Sequence, residues 1–159
     1  MAERPGASGD DPSRGSPPGR VGLPSGGAGW PGGEASADDA IEISGIRGYG
    51  YTGYFPEEQT LGQWFEVDLR IWLDLAPTGA SDDLAQGLDY ADLVRCVSEL
   101  LETCRFRTIE RLNTAILEAV LGFAPVRRVH SRLVKVAAPI PGFDGRIAVS
   151  MTRFRPGSP

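Results

Sequence analysis

Four side chains in this sequence are of the types a proton-transfer site needs: Lys135, Tyr90, Glu58 and Glu110. Lys135 ends the strand part of the apolar segment Leu133-Val134-Lys135-Val136-Ala137-Ala138, which stops at Pro139-Ile140-Pro141-Gly142. A lysine at the mouth of an apolar strand is partly desolvated, and desolvation lowers its pKa toward the range where an amine exchanges protons. The prolines and glycine after it stop the strand and turn the chain. Most strand-end lysines are solvated charges, so the position gains meaning only from its company. Glu58 falls in a glycine-rich acidic loop, Tyr90 opens one helical pattern, and Glu110 lies in the first turn of another. Each sits at the start or end of an expected element, where sites are usually built. Taken singly, Glu110 reads as a carboxylate complementing a helix dipole and Tyr90 as an aromatic filling a gap.

The elements that must position these residues follow from periodicity. Ile41, Ile43 and Ile46 suggest a first strand running to about Tyr51. Phe65, Val67, Leu69, Ile71, Leu73 and Leu75 alternate with Trp64, Glu66, Asp68, Arg70, Trp72 and Asp74. Period two with one apolar face predicts a half-buried antiparallel strand of about 13 residues. Asp89 is a candidate N-cap for a helix whose stripe is Leu93, Val94, Val97, Leu100, Leu101 and Cys104. Thr108 is another, leading Ile109, Leu112, Ala115, Ile116, Ala119 and Val120, with Gly122 and Pro125 as the stop. A third strand is expected over 126–136 and a fourth over 146–154. The order β-β-α-α-β-β predicts an α+β layer: a four-stranded antiparallel sheet with both helices on one face. A long sheet with two open edges is a pairing hazard unless copies join edge to edge into a ring, so a cyclic homo-oligomer is expected.

Composition narrows the function classes. The chain has 159 residues and a net charge of −5, with a pI near 4.9. That balance argues against nucleic acid or an anionic membrane as a partner, since both need clustered Lys and Arg. No apolar run approaches the roughly 20 residues of a membrane span, and no apolar signal region opens the chain. Residues 1–38 read as a disordered tail ahead of one folded domain, 39–155. The first 40 positions hold 10 of the 21 glycines and 6 of the 13 prolines, too little apolar surface to offset ordering. Cys96 and Cys104 share one expected helix and read as reduced thiols in a cytoplasmic protein. With one histidine, His130, there is no zinc spacing. His130 is given no role, and Arg127, Arg128 and Arg132 read as a solvated strand face. Gly48-Tyr49-Gly50-Tyr51-Thr52-Gly53 matches a dinucleotide fingerprint in letters, but a strand rather than a helix follows it, so the glycines are read as permitting turns near a small ligand.

Several blocks in order resemble the dihydroneopterin aldolase family of the tunnelling-fold superfamily. They are Ile46-Arg47-Gly48-Tyr49-Gly50-Tyr51-Thr52-Gly53, Pro56-Glu57-Glu58-Gln59, Gly62-Gln63-Trp64-Phe65-Glu66-Val67-Asp68, Ser81-Asp82-Asp83, Leu88-Asp89-Tyr90, Ile109-Glu110-Arg111-Leu112, and Leu133-Val134-Lys135 followed by Ala138-Pro139-Ile140-Pro141. The resemblance implies a lyase that splits 7,8-dihydroneopterin into 6-hydroxymethyl-7,8-dihydropterin and glycolaldehyde, with no metal, cofactor or Schiff base. It implies a homo-oligomer of stacked tetrameric rings, an octamer, with sites shared between neighbours. Lys135 would then act as general base through a water, and Tyr90, from the adjacent subunit, would handle the proton on the enamine carbon. Glu110 would grip the pterin 2-amino and N3–H groups in a bidentate pair, with backbone contacts from Ile109 and Leu88. Glu58 would bind the side-chain hydroxyls near Lys135.

The chain departs from the family pattern at a few places. Family members commonly carry histidine at Thr52, proline at Val136, Ala-Glu at Asn113-Thr114, and an apolar residue at Ser131. Two alternatives share these features: a 2′-epimerase of dihydroneopterin or its triphosphate, and a non-catalytic pterin-binding ring protein. Triphosphate specificity would call for basic residues near the side-chain pocket, with Arg47 and Arg146 as candidates. Within the superfamily, the metal-dependent pyruvoyl-tetrahydropterin synthases and GTP cyclohydrolase I need histidine or cysteine ligands that a single histidine does not supply.

Overall fold

The computed structural model describes residues 39–157, and the stretch 1–38 expected as a tail lies outside the described residues. Alternation builds the sheet. In β2 (Gln63–Trp72), Phe65, Val67, Leu69 and Ile71 are each 0% exposed, while Trp64 on the other face is 48% exposed. β1 (Ala40–Gly50), β3 (Arg128–Lys135) and β4 (Ile147–Phe154) complete one sheet in the order β1-β2-β3-β4. Every neighbouring pair is antiparallel, as expected. β1 and β4 are its two edges.

The odd spacing of the isoleucines in β1 has a local cause. Ile43 pairs with Leu69 and Ile46 with Val67, so Ser44 and Gly45 together oppose Asp68 alone. This is a β-bulge, with Gly45 at φ 78° and its N–H donating to Asp68 Oδ1 at 2.9 Å. The extra residue returns Ile46 to the core side, where it is buried.

Two long helices cover one face. α3 (Tyr90–Thr103) starts at Asp89, whose carboxylate accepts from the N–H groups of Ala91 and Asp92. α4 (Ile109–Gly122) starts at Thr108, whose hydroxyl accepts from the Arg111 N–H at 3.3 Å. Both caps are legible in the sequence. α3 buries Leu93, Val97 and Leu101 and packs on β1; α4 packs on β3, β4 and α3. The α4 stripe differs from expectation. Asn113 and Leu117 are fully buried, whereas Ala115 and Ala119 are only half-buried. A helix packed against a sheet and a second helix buries a wider arc than one facing a sheet alone. Asn113 reaches the Val149 carbonyl with its Nδ2 at 3.4 Å, and Ser131 is also fully buried on β3.

Other boundaries shift for identifiable reasons. β2 has ten residues rather than about 13, because Asp74 Oδ1 accepts from the Ala76 N–H and Pro77 opens α2 (Ala76–Ser81). β3 begins at Arg128, after Val126 N–H closes a turn on the Phe123 carbonyl. The loop between β1 and β2 contains a short helix, α1 (Pro56–Leu61), and a 3-10 turn spans Leu84–Gln86. The strand arginines are not uniformly solvated: the Arg128 guanidinium lies 4.1 Å from the Trp72 ring and 5.2 Å from the Phe154 ring. Gly48 and Gly50 do not turn the chain. They lie within β1 under α3, and a Cβ on Gly48 would sit 2.7 Å from the Leu101 Cβ. Among the described residues no helix is long and apolar enough to cross a membrane.

Candidate active site

Glu58 reaches the site because the β1–β2 loop winds into α1. Pro56 occupies the first turn, where its missing N–H costs nothing, and Gly62 ends the helix at φ 73°. Glu58 Oε2 turns back to accept the Phe55 N–H at 3.1 Å, the reciprocal half of a capping box. Its other oxygen accepts from Gln63 Nε2 at 3.0 Å and from the Lys135 ammonium. Lys135 is the last residue of β3, opposite Phe65 of β2. The two side chains are 13% and 7% exposed, making this by far the most buried ion pair among the described residues.

The partly desolvated amine expected at the strand end is therefore paired with Glu58. Burial pushes the Glu58 pKa up and is the largest single influence. Hydrogen bonds from Lys135, the Phe55 N–H and Gln63, with the Lys135 charge, together outweigh it, so the carboxyl sits below its ordinary value near 4.5. Glu58 is an anion at neutral pH.

This couple forms one wall of a cavity of about 280 Å³ whose lining also includes Ile109, Glu110, Thr108, Arg107, Tyr54, Gly53, Ile140 and Ile147. Glu110 stands in the first turn of α4, as expected, and its position on the cavity comes from the Thr108 cap. The structure thus brings Glu58, Ile109, Glu110 and Lys135 to one space. Of the glycine motif only Gly53 borders it, packed so tightly on Glu58 that an added Cβ would lie 2.7 Å from the carboxyl carbon.

Tyr90 and Leu88 are not in that space. Tyr90 begins α3 and is 54% exposed, Leu88 is buried in the core, and neither lines the cavity. Arg47 and Arg146 are also elsewhere, both bound to Glu66 on the helix-free face of the sheet. Sequence reasoning missed Gln63, Arg107 and Tyr54. The available signal for Gln63 was an amide at the first position of an alternating strand, directly after Gly62. Val136 donates its N–H to the Trp64 carbonyl at 3.2 Å, a bond that proline, expected there from the resemblance, could not make.

A β-β-α-α-β-β layer with an open-edged four-stranded sheet is the tunnelling fold, here with an amine and two carboxylates gathered at one cavity. The family model described as FolB, dihydroneopterin aldolase, matches residues 41–152. The chain belongs to the dihydroneopterin aldolase family. It is 51% identical over 117 residues to the probable dihydroneopterin aldolase of Synechocystis, covering 74% of this chain and 99% of that one. The Bacillus subtilis dihydroneopterin aldolase is 39% identical, covering 72% of this chain and 97% of its own length. Among solved structures, the Escherichia coli dihydroneopterin aldolase in complex with neopterin superimposes with a TM-score of 0.67 at 27% identity, over 72% of this chain and 98% of that one.

Proposed function

We propose that this protein is a dihydroneopterin aldolase, which splits 7,8-dihydroneopterin into 6-hydroxymethyl-7,8-dihydropterin and glycolaldehyde in tetrahydrofolate biosynthesis in the cytoplasm. Family membership supports the class. The single observation that carries the chemistry is the shared cavity with Glu110 and the Lys135–Glu58 couple on its walls.

Glu110 orients the heterocycle by accepting from its 2-amino and N3–H groups, and the Ile109 backbone adds a contact beside it. The glycerol-like side chain then reaches the couple. A proton leaves the 2′-hydroxyl through a water held by the Lys135 ammonium, with Glu58 as the neighbouring acceptor. The C1′–C2′ bond breaks, its electrons move into the ring C=N bond, and C2′ becomes the aldehyde carbon of glycolaldehyde. The ring's own imine is the electron sink, so no lysine imine is needed. The resulting enamine carbon takes a proton from Tyr90 of a neighbouring copy, whose Leu88 backbone also borders the ring. Closure of β1 of one copy on β4 of the next would build a tetrameric ring, stacked in pairs as an octamer. Two open edges and a site lacking Tyr90 within one chain support that assembly.

Incubating the purified protein with 7,8-dihydroneopterin tests the reading: glycolaldehyde and 6-hydroxymethyl-7,8-dihydropterin should appear in equal amounts. Epimerised substrate without glycolaldehyde would replace the aldolase by the epimerase. The placement of Arg47 and Arg146 on the helix-free face, away from the cavity, favours the unphosphorylated substrate.

A further inference from the structure

Neither Gln63 nor Thr52 lines this cavity, yet their hydrogen bonds link Glu58, which does, to Phe106, the neighbour of its lining residue Arg107. Gln63 is 9% exposed, and its Nε2 donates to the Thr52 carbonyl at 2.9 Å and to Glu58 Oε1 at 3.0 Å. Both amide hydrogens are committed, and a flipped amide would set its oxygen against two acceptors. Thr52 is fully buried; its hydroxyl donates to the Cys104 carbonyl at 3.3 Å and accepts from the Phe106 N–H at 3.2 Å. The Gly53 N–H adds a bond to the Phe106 carbonyl at 3.0 Å. Phe106 lies just before Thr108, the cap of the helix that carries Glu110. A continuous relay therefore runs from Lys135 through Glu58, Gln63 and Thr52 to the segment that sets Glu110. The other charged or titratable groups around the couple are Glu110, Arg107 and Tyr54 in this cavity, and Glu57 and Tyr49 in a second cavity that Glu58 also lines.

We propose that Gln63 and Thr52 are positioning residues with separate roles. Gln63 holds the Lys135–Glu58 couple in its reactive geometry, and the Thr52 hydroxyl holds the α3–α4 link that places Glu110. The inference rests on the retro-aldol reading for its kinetic consequences. The two roles separate in steady-state kinetics. Gln63→Met, close in volume but without the donors, should lower kcat about tenfold or more with KM within about threefold of wild type. Gln63→Asn, too short to span both acceptors, should give the same split if the methionine variant does not fold. Thr52→Val, isosteric without the hydroxyl, should raise KM with little loss of kcat, and Thr52→Ser should restore it.

A readout independent of turnover is the carboxyl titration of Glu58 followed by ¹³C NMR. Its midpoint should rise in both Gln63 variants and stay in place in Thr52→Val. The proposal is overturned if a Gln63 variant keeps wild-type kcat and Glu58 titration, or if Thr52→Val and Thr52→Ser behave alike. A wild-type protein inactive on dihydroneopterin would defeat the aldolase reading alone, and the titration would still decide whether Gln63 holds the couple.

Discussion

The two faces of the sheet carry the same kinds of charge to different effect. On the helix-free face, Arg47 and Arg146 meet Glu66, Arg70 meets Glu42, and Arg132 meets Asp68; the arginine of each of these pairs has a side chain at least 36% exposed. Water competes with each of these contacts, and salt screens them. At the end of β3 a single pair, Lys135 and Glu58, is desolvated and held by three further hydrogen-bond partners around the carboxylate and its amide neighbour. Position, not composition, separates a decorative ion pair from one that can handle protons. The sequence shows six acidic or basic residues in β2 and β3 alone before one reaches Lys135, and none of their letters marks the difference.

Breaking the buried pair should have the largest effect. Glu58→Gln keeps the shape but removes the negative charge and the carboxylate that accepts the substrate's proton, and should lower kcat by about 10²-fold or more, measured by glycolaldehyde release. Retention of wild-type kcat would equate the buried pair with the exposed ones. Tyr90→Phe should lower kcat by a smaller factor while leaving the thermal midpoint unchanged, since Tyr90 is exposed within its own chain. Mixed assemblies of Tyr90→Phe and Glu58→Gln chains should regain part of the activity, because some sites then receive both intact side chains. No recovery on subunit exchange would place the tyrosine in the same chain's site or outside it.

Acid stability sharpens the comparison further. Glu58 has a lowered pKa in the fold, so the stability it contributes is fully present above its ordinary value near 4.5 and is lost as pH falls through the lower folded value. His130 is also lowered, by burial first and then by the Arg128 and Arg70 charges. Its neutral form is the one the fold favours, so its share is full above 6.5 and declines as pH falls from 6.5 toward the folded value. Thermal midpoints should therefore fall in two steps, one as pH drops below 6.5 and one as it drops below 4.5, and His130→Asn should remove only the upper one. The smallest effect is expected on the helix-free face: Arg47→Ala should change stability by about 0–1 kcal/mol and leave turnover intact.

The fold is legible where patterns are long. Alternation in β2 and the Asp89 and Thr108 caps name their elements from the letters alone. The short helices are not, because six residues headed by proline read as a loop until Glu58 is seen bonding back to Phe55. Glu58, Glu110 and Lys135 stand out by their types and their places at element ends, and the fold brings them to one cavity. Gln63 and Thr52 escape notice because a buried amide or hydroxyl has no periodic signature; its meaning lies in partners distant along the chain, such as Phe106, 54 residues from Thr52. The bulge at Gly45 is hidden for a related reason, since it is visible only against the register of β2.

The central claim is that the Lys135–Glu58 couple takes the substrate's hydroxyl proton. Single-turnover cleavage of 7,8-dihydroneopterin by Lys135→Ala, alongside pterin binding by fluorescence, tests it most directly. The account predicts a cleavage rate reduced by about 10²–10⁴ with the pterin dissociation constant within about tenfold of wild type. Cleavage at the wild-type rate with binding intact would contradict it.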